Sequence, residues 1–269
     1  QGNVVQKAVG KALRIRKKRE GTVRFFLGGH MDTVYGKESP FQKAVQMDNN
    51  YLQGPGVADM KGGLVIMLTV LQALERSPFA EKMSWEVVIN PDEEVGSTSS
   101  APLFIEGAQR NDVGMIFEPS FDDGAIVSAR KGSINFSVVS RGKAAHAGRD
   151  FDSGRSAIAS LAQFIVAAEQ LNDRERGITL NFGRIEGGTA TNIVPDLAIC
   201  RCNARMVDPI ELNEIKGKLE RIVEEWNTRG ASLSLHYETE RAPKVFDATQ
   251  ERLFLVHQKA AKELGVPMS

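Results

Sequence analysis

Cysteine is nearly absent from this chain of 269 residues: two occur, Cys200 and Cys202. A disulfide framework is thereby excluded as the source of its stability. Spacing of two on a strand points both thiols to one face, a poor geometry for bridging them to each other, so they read as small buried apolar groups. Charge of one sign is also lacking, since Lys plus Arg and Asp plus Glu each number 34. That balance gives no global field for nucleic acid or a membrane surface, and small or mixed-charge substrates fit better. No apolar run approaches the roughly 18 residues of a membrane span, and the opening Q-G-N-V-V-Q-K-A-V-G-K has no signal-peptide core. A cytoplasmic location follows as the expectation, although the start looks clipped and leaves a secreted or periplasmic destination open. No internal repeat or low-complexity segment is visible. With 42% hydrophobic and 25% charged residues, the chain is an ordinary globular sequence, long enough for one large domain or two small ones.

What is present is a set of carboxylate and histidine clusters, each following a short apolar run. F-F-L-G-G-H-M-D-T-V spans 25–34, V-V-I-N-P-D-E-E-V-G-S spans 87–97 and G-M-I-F-E-P spans 114–119, while G-P-G-V-A-D-M-K-G-G at 54–63 opens an apolar helix. Oxygen and nitrogen donors gathered at the ends of buried parallel strands are how an α/β sheet assembles a metal site. The periodicity supports such a sheet. K-A-L-R-I-R-K-K-R-E-G alternates Leu13 and Ile15 with Arg14 and Arg16, which predicts a strand with one wet, basic face, and Gly21 allows a turn after it. Val23 to Leu27 is apolar on both faces except for Arg24, as expected of a central strand. Lys61 to Ser77 predicts a helix, apolar almost all round and therefore buried, stopped by Pro78. Trp85 to Asn90 and Val113 to Phe117 predict two further strands and a mostly parallel sheet.

From about Arg130 the grammar changes to strand (134–139), helix (153–171), two strands (178–185 and 193–206), helix (211–226) and strand (232–238). This β-α-β-β-α-β order is the split, ferredoxin-like unit and predicts an independent inserted domain. Ala248 to Leu264 is helical again and ends at Gly265 and Pro267. The expected organisation is a first catalytic part at 1–129, an insert at 130–240 and a second, incomplete catalytic part at 241–269.

Each cluster has a functional and a bland reading. His30 and Asp32, two apart on extended backbone, share a face, so Asp32 can hold the imidazole in a ligating tautomer; an H-x-D is also a common surface pair. Asp59, among Gly54, Gly56, Gly62 and Gly63, is either a ligand in a loop free to approach a ligand or a helix cap. Glu93 and Glu94 are adjacent carboxylates that repel each other unless a cation or shared proton compensates, which suggests that one binds metal and the other acts as base; both could instead be solvated. Glu118, fixed by Pro119, repeats the layout. His236 and His257 sit in no strand-end loop and read as structural.

The strings G-H-M-D-T-V, G-P-G-V-A-D-M-K-G-G, P-D-E-E-V-G-S and F-E-P, in this order, resemble the di-zinc exopeptidase family of glutamate carboxypeptidases, aminoacylases and succinyl-diaminopimelate desuccinylases, most of all its bacterial glutamate carboxypeptidase branch. The resemblance covers essentially the whole chain, with G-K-A-A-H-A-G and T-N-I-V-P matching in the insert. It implies two zinc ions per subunit, with cobalt or manganese accepted by the same donors. Asp59 would bridge them, His30 and Glu118 would complete one ion's ligands, Glu94 would serve the other, and Glu93 would be the general base. His146 would donate to the tetrahedral oxyanion, and Asn192 and Arg205 would hold the substrate's free carboxylate; taken alone, His146 reads as structural and Arg205 equally as an outward-facing strand residue. The insert would act as lid and homodimer interface, with His146 and Asn192 able to reach the neighbouring subunit's site. The family's fifth ligand, a histidine beyond the insert, and its opening helix and strand are not in this sequence, which reads as truncated at both ends.

The expectation is therefore an α/β, di-zinc metallohydrolase that cleaves an amide bond adjacent to a free carboxylate, in a small peptide or an N-acyl amino acid, without nucleic-acid or membrane partners. Its rivals are a non-catalytic amino-acid or peptide binder with an incomplete metal site, and a dimerisation module with a vestigial one.

Overall fold

The computed structural model describes residues 9–20, 23–121, 124–229 and 232–266. The expected turn at Gly21 and the stop at Pro267 lie outside them. The chain divides into two compact units, Gln1–Phe121 and Asp122–Ser269.

The first unit is built from β1 (Leu13–Lys17), β2 (Val23–His30), a small hairpin of β3 (Val45–Gln46) and β4 (Leu52–Gln53), α1 (Gly62–Glu75), β5 (Met83–Asn90), α2 (Ala101–Arg110) and β6 (Val113–Ile116). Its main sheet has the order β1-β5-β2-β6. β2 runs parallel to both β5 and β6, whereas β1 pairs antiparallel with β5, so the sheet is mixed. Register brings the strand ends level: His30 pairs with Asn90, and Gly28 with Ile116. Whatever follows Asn90 and Ile116 therefore emerges beside His30, at the carboxyl edge where open α/β sheets bind ligands.

Leu27, Met67 and Val87 form the buried centre between α1 and this sheet, flanked by Phe25, Leu64, Leu71, Trp85 and Ile89. α1 can start close to the end of β6 because of Gly63, where a Cβ would stand 1.8 Å from the Phe117 carbonyl oxygen. On the opposite sheet face α2 packs through Phe104, edge-on to Phe26 with ring centroids 5.6 Å apart.

Two sequence expectations are corrected here. α1 is apolar all round but buries only Met67; Val65 and Ile66 are 64% and 58% exposed. Composition predicts what a helix could bury, and packing on one sheet face covers only one stripe of it. By length and composition the stretch Val57–Glu75 would suffice to cross a bilayer, yet helical geometry fails inside it at Asp59 and Met60. The helix proper has 14 residues, or about 21 Å at 1.5 Å per residue against the ~30 Å of a bilayer core. In β1 the faces are reversed: Leu13 and Ile15 are exposed, whereas Arg14 turns inward to Glu86, Nε to Oε1 at 2.8 Å. Glu86 is buried and also takes Arg110 Nη2 at 2.9 Å, so a buried carboxylate decided the facing of the strand.

The second unit comprises β7 (Gly132–Arg141), α3 (Ala157–Glu169), β8 (Thr179–Gly187), β9 (Leu197–Met206), α4 (Pro209–Thr228), β10 (Leu233–Arg241) and α5 (Ala248–Leu264). Its four strands form an antiparallel sheet in the order β10-β7-β9-β8. One face is covered by α3 and α4, whose Leu161, Phe164, Leu212, Ile215 and Leu219 pack on Ile134, Phe136, Val138, Ala204 and Met206. Cys200 and Cys202 are buried in that core as free thiols with Sγ atoms 3.5 Å apart. α4 starts on a capping box in which Asp208 and Glu211 satisfy each other's backbone N–H. The whole chain is an α/β fold with mixed and antiparallel sheets.

At the far end of α1, Glu75 receives Arg19 Nη2 at 3.0 Å, Trp85 Nε1–H at 2.8 Å and Lys17, and these hydrogen bonds pull its carboxyl from an ordinary 4.5 to about 2. The folded value lies below the unfolded one, so the stabilisation is complete above pH 4.5 and is lost as pH falls through about 2. Glu75→Gln should lower the melting temperature at neutral pH and flatten its decline over that window, followed by circular dichroism. An acid limb identical to the native protein's would contradict the assignment.

Candidate metal centre

Three strand-end segments and one irregular turn converge in the first unit. His30 closes β2 and is 1% exposed. Its Nδ1 lies 3.1 Å from the Asp32 carbonyl oxygen and 3.4 Å from Asp32 Oδ1. Its Nε2 faces Asp59 Oδ1 at 3.0 Å and Glu118 Oε1 at 3.6 Å. Asp59 sits where the chain leaves helical geometry before α1, at φ −114° and ψ 97°, and its peptide to Met60 is cis. The wholly buried Met60 packs beneath, its Sδ 3.1 Å from the His30 N–H. One donor atom each from His30, Asp59 and Glu94 all lie within 4.8 Å of one another.

The charges explain one another. Burial pushes the His30 imidazole down, but the hydrogen bond to Asp59 and the charges of Glu118, Asp32 and Glu93 outweigh it, and its pKa is raised. Burial and the neighbouring Asp59 charge raise Glu94. Glu118 is raised by burial and Asp59 against the opposing pull of His30. Carboxylates pressed this closely either take up protons or share a cation, and an imidazole with three carboxylates is a hard, mixed N/O donor set that suits zinc and other divalent ions. The residues present fit a metal site.

Glu93 and Glu94 begin a single 3₁₀ turn closed by Gly96 at φ 96°, a conformation that suits glycine. Asp32, which sequence reasoning gave the imidazole, also spans this turn: its Oδ1 accepts the Glu93 N–H at 3.2 Å and its Oδ2 the Glu94 N–H at 2.9 Å. Asp32 thus ties the two together, its carbonyl and carboxylate against the histidine and its carboxylate on the glutamate pair. Beneath the turn lies a polar network that sequence reasoning did not assign. Asp92, wholly buried, accepts from Ser99 N–H at 2.9 Å, Ser100 N–H at 3.2 Å, Ser100 Oγ–H at 2.5 Å and Asn90 Nδ2 at 3.2 Å. Burial alone would raise Asp92; these donors, Ser100 first, hold it lowered. The one cue in the sequence is the Asp preceding the glutamate pair with serines seven and eight residues on.

His146, Asn192 and Arg205 lie in the second unit. The loops of the first two are joined, since Ala147 N–H donates to the Asn192 carbonyl at 2.9 Å. His146 Nδ1 accepts from Gly148 N–H at 3.1 Å, so the neutral ring carries its proton on Nε2 as a donor. Arg205, exposed on β9, donates from Nε to Asn203 Oδ1 at 2.8 Å. The other two histidines have local partners: His236 Nε2 is 3.1 Å from Ser234 Oγ, and His257 Nδ1 is 2.9 Å from the Leu253 carbonyl.

The family model described as peptidase family M20/M25/M40 matches residues 26–269. Carboxypeptidase G2 of a Pseudomonas species is 29% identical over 198 residues, covering 73% of this chain and 48% of that protein. Acetylornithine deacetylase of Erwinia tasmaniensis is 28% identical over 222 residues, covering 76% and 56%. Among solved structures, aminopeptidase PepT from Bacillus cereus superimposes with a TM-score of 0.70 at 26% identity, over 96% of this chain and 69% of that one. The chain spans about half the length of the curated relatives it matches.

Removing the carboxylate that pairs with His30 and clamps the glutamate turn should weaken metal binding. Asp32→Ala is expected to cut zinc affinity about 10–100-fold in competition with a chromophoric chelator. Unchanged affinity would contradict this role for Asp32.

Proposed function

Because the chain belongs to peptidase family M20/M25/M40, we propose that it is part of a zinc-dependent hydrolase that cleaves an amide bond next to a free carboxylate, in a short peptide or an N-acyl amino acid. The observation that carries this reading is the convergence of His30, Asp59 and Glu94 donor atoms within 4.8 Å, with Glu118 facing the same His30 nitrogen. His30, Asp59 and Glu118 would hold one of two ions and Asp59 with Glu94 the other, zinc being replaceable by cobalt or manganese. When bound, such ions polarise a scissile carbonyl and acidify a water.

The chain's own residues do the remaining work. Glu93, next to a ligand but free of that duty, takes the proton of the attacking water on a carboxylate oxygen and returns it to the leaving amine nitrogen. The Asp32 clamp on its backbone N–H keeps that carboxylate at the strand edge. His146, with its proton on Nε2, donates to the developing oxyanion, and Asn192 and Arg205 bind the substrate's free carboxylate. The β-α-β-β-α-β order from β7 to β10 supports reading residues 130–240 as a ferredoxin-like lid and homodimer interface inserted between catalytic parts at 1–129 and 241–269. In such a dimer His146 and Asn192 serve the neighbouring subunit's centre.

Full-length protein loaded with zinc should hydrolyse N-acyl amino acids or dipeptides. Glu93→Gln should lower turnover by at least ~10²-fold while the protein still retains zinc. Native-like turnover in this variant would contradict the assigned base.

A further inference from the structure

The face of the second unit's sheet away from α3 and α4 carries a row of amides that the mechanism above leaves unused. Asn203 on β9 pairs in register with Asn135 on β7, and Asn135 with Thr239 on β10. Hydrogen bonds run through this row in one direction. Arg205 Nε–H donates to Asn203 Oδ1 at 2.8 Å, Asn203 Nδ2–H to Asn135 Oδ1 at 2.5 Å, and Asn135 Nδ2–H to Thr239 Oγ1 at 2.8 Å. The direction follows from chemistry: a guanidinium only donates, so Asn203 must turn its oxygen to Arg205, and its amide nitrogen then faces Asn135.

Asparagine is disfavoured in strands, and here two half-buried ones occupy the two interior strands of the sheet. Their gain is order. Three amide or hydroxyl dipoles aligned head to tail polarise one another, which strengthens the first acceptor, the Asn203 oxygen under Arg205. A long, exposed arginine otherwise samples many rotamers, and fixing Nε in advance lowers the cost of fixing it on binding. Because Nε is already engaged, the side edge of the guanidinium is closed to a ligand and only the edge formed by Nη1 and Nη2 remains.

We propose that Asn203, backed by Asn135 and Thr239, is a positioning residue that locks Arg205 so that its Nη1–Nη2 edge alone receives the substrate's carboxylate, end-on and bidentate. This rests on the reading of Arg205 as the carboxylate anchor. The row thereby sets specificity for a planar, charged carboxylate over a neutral carboxamide, which cannot accept two parallel N–H bonds from that edge.

The test is calorimetric titration of the zinc-loaded full chain, carrying Glu93→Gln throughout so that the ligand is not turned over, with an N-acyl amino acid and with its C-terminal amide, for the otherwise native protein, Arg205→Ala, Asn203→Leu and Asn203→Asp. Asn203→Leu should raise the Kd of the acid about tenfold, the order expected for a lost hydrogen bond to a charged group, and leave the amide's Kd unchanged. Asn203→Asp, which keeps an oxygen under Nε, should recover most of the affinity for the acid. The Arg205 Nε–H resonance of the native protein, needing no variant, should exchange with water more slowly than those of arginines lacking a side-chain acceptor. If Arg205→Ala leaves the acid's Kd unchanged, the anchor reading itself fails. If Arg205→Ala weakens the acid but Asn203→Leu does not, or weakens acid and amide alike, or if the Nε–H exchanges freely, the positioning role is overturned and the anchor stands.

Discussion

Buried at the end of β2, the His30 imidazole is ringed by Asp59, Glu118, Asp32 and Glu93, whose charges together raise its pKa against the pull of burial. Such crowding is costly unless something positive sits among the carboxylates, and the first unit is arranged to make it unavoidable. Parallel pairing of β2 with β5 and β6 sets three strand ends level, so the residues after Asn90 and Ile116 have nowhere to emerge except beside His30. Gly63 lets the start of α1 approach the end of β6, which brings Asp59 in from the fourth side. Asp32 then converts proximity into order, its carbonyl and carboxylate facing the histidine while the carboxylate holds the backbone of the glutamate turn.

Beneath the turn, the Asp92 network gives the same region rigidity. A wholly buried carboxylate with four donors from Ser99, Ser100 and Asn90 is stable only in one local geometry. Adjacent glutamates on a mobile loop would be free to swing apart; on a turn fixed from above by Asp32 and from below by Asp92 they are held in one relative orientation. The second unit repeats this logic on its open sheet face, where a line of asparagines fixes one arginine.

The strand-end clusters were legible because each carries its own signal: an apolar run locates the strand, and the first polar residues after it are the site. The βαββαβ element order of the second unit was legible for a similar reason, since its helices and strands alternate with clean periodicity, and Ala248–Leu264 was bounded as observed. What escaped depends on partners distant in sequence. Arg14 faces inward because Glu86, two residues along from its partner on the neighbouring strand, is buried within reach of it, and nothing in L-R-I-R-K reports that. The outer stripe of α1 is exposed because one sheet face covers one side of a helix, which composition does not encode. Ser99, Ser100 and Asn90 carry no periodic pattern, so their joint grip on Asp92 is visible only once the turn is folded.

Metal binding by His30 with Asp59, Glu94 and Glu118 is what this crowding implies. Zinc K-edge X-ray absorption on protein loaded with zinc and then dialysed tests it most directly. Retained zinc is expected, with a first shell of nitrogen and oxygen at about 2.0–2.2 Å that includes imidazole scattering lost in His30→Ala. Zinc lost on dialysis, or a retained shell with an imidazole signature unchanged by His30→Ala, would contradict it.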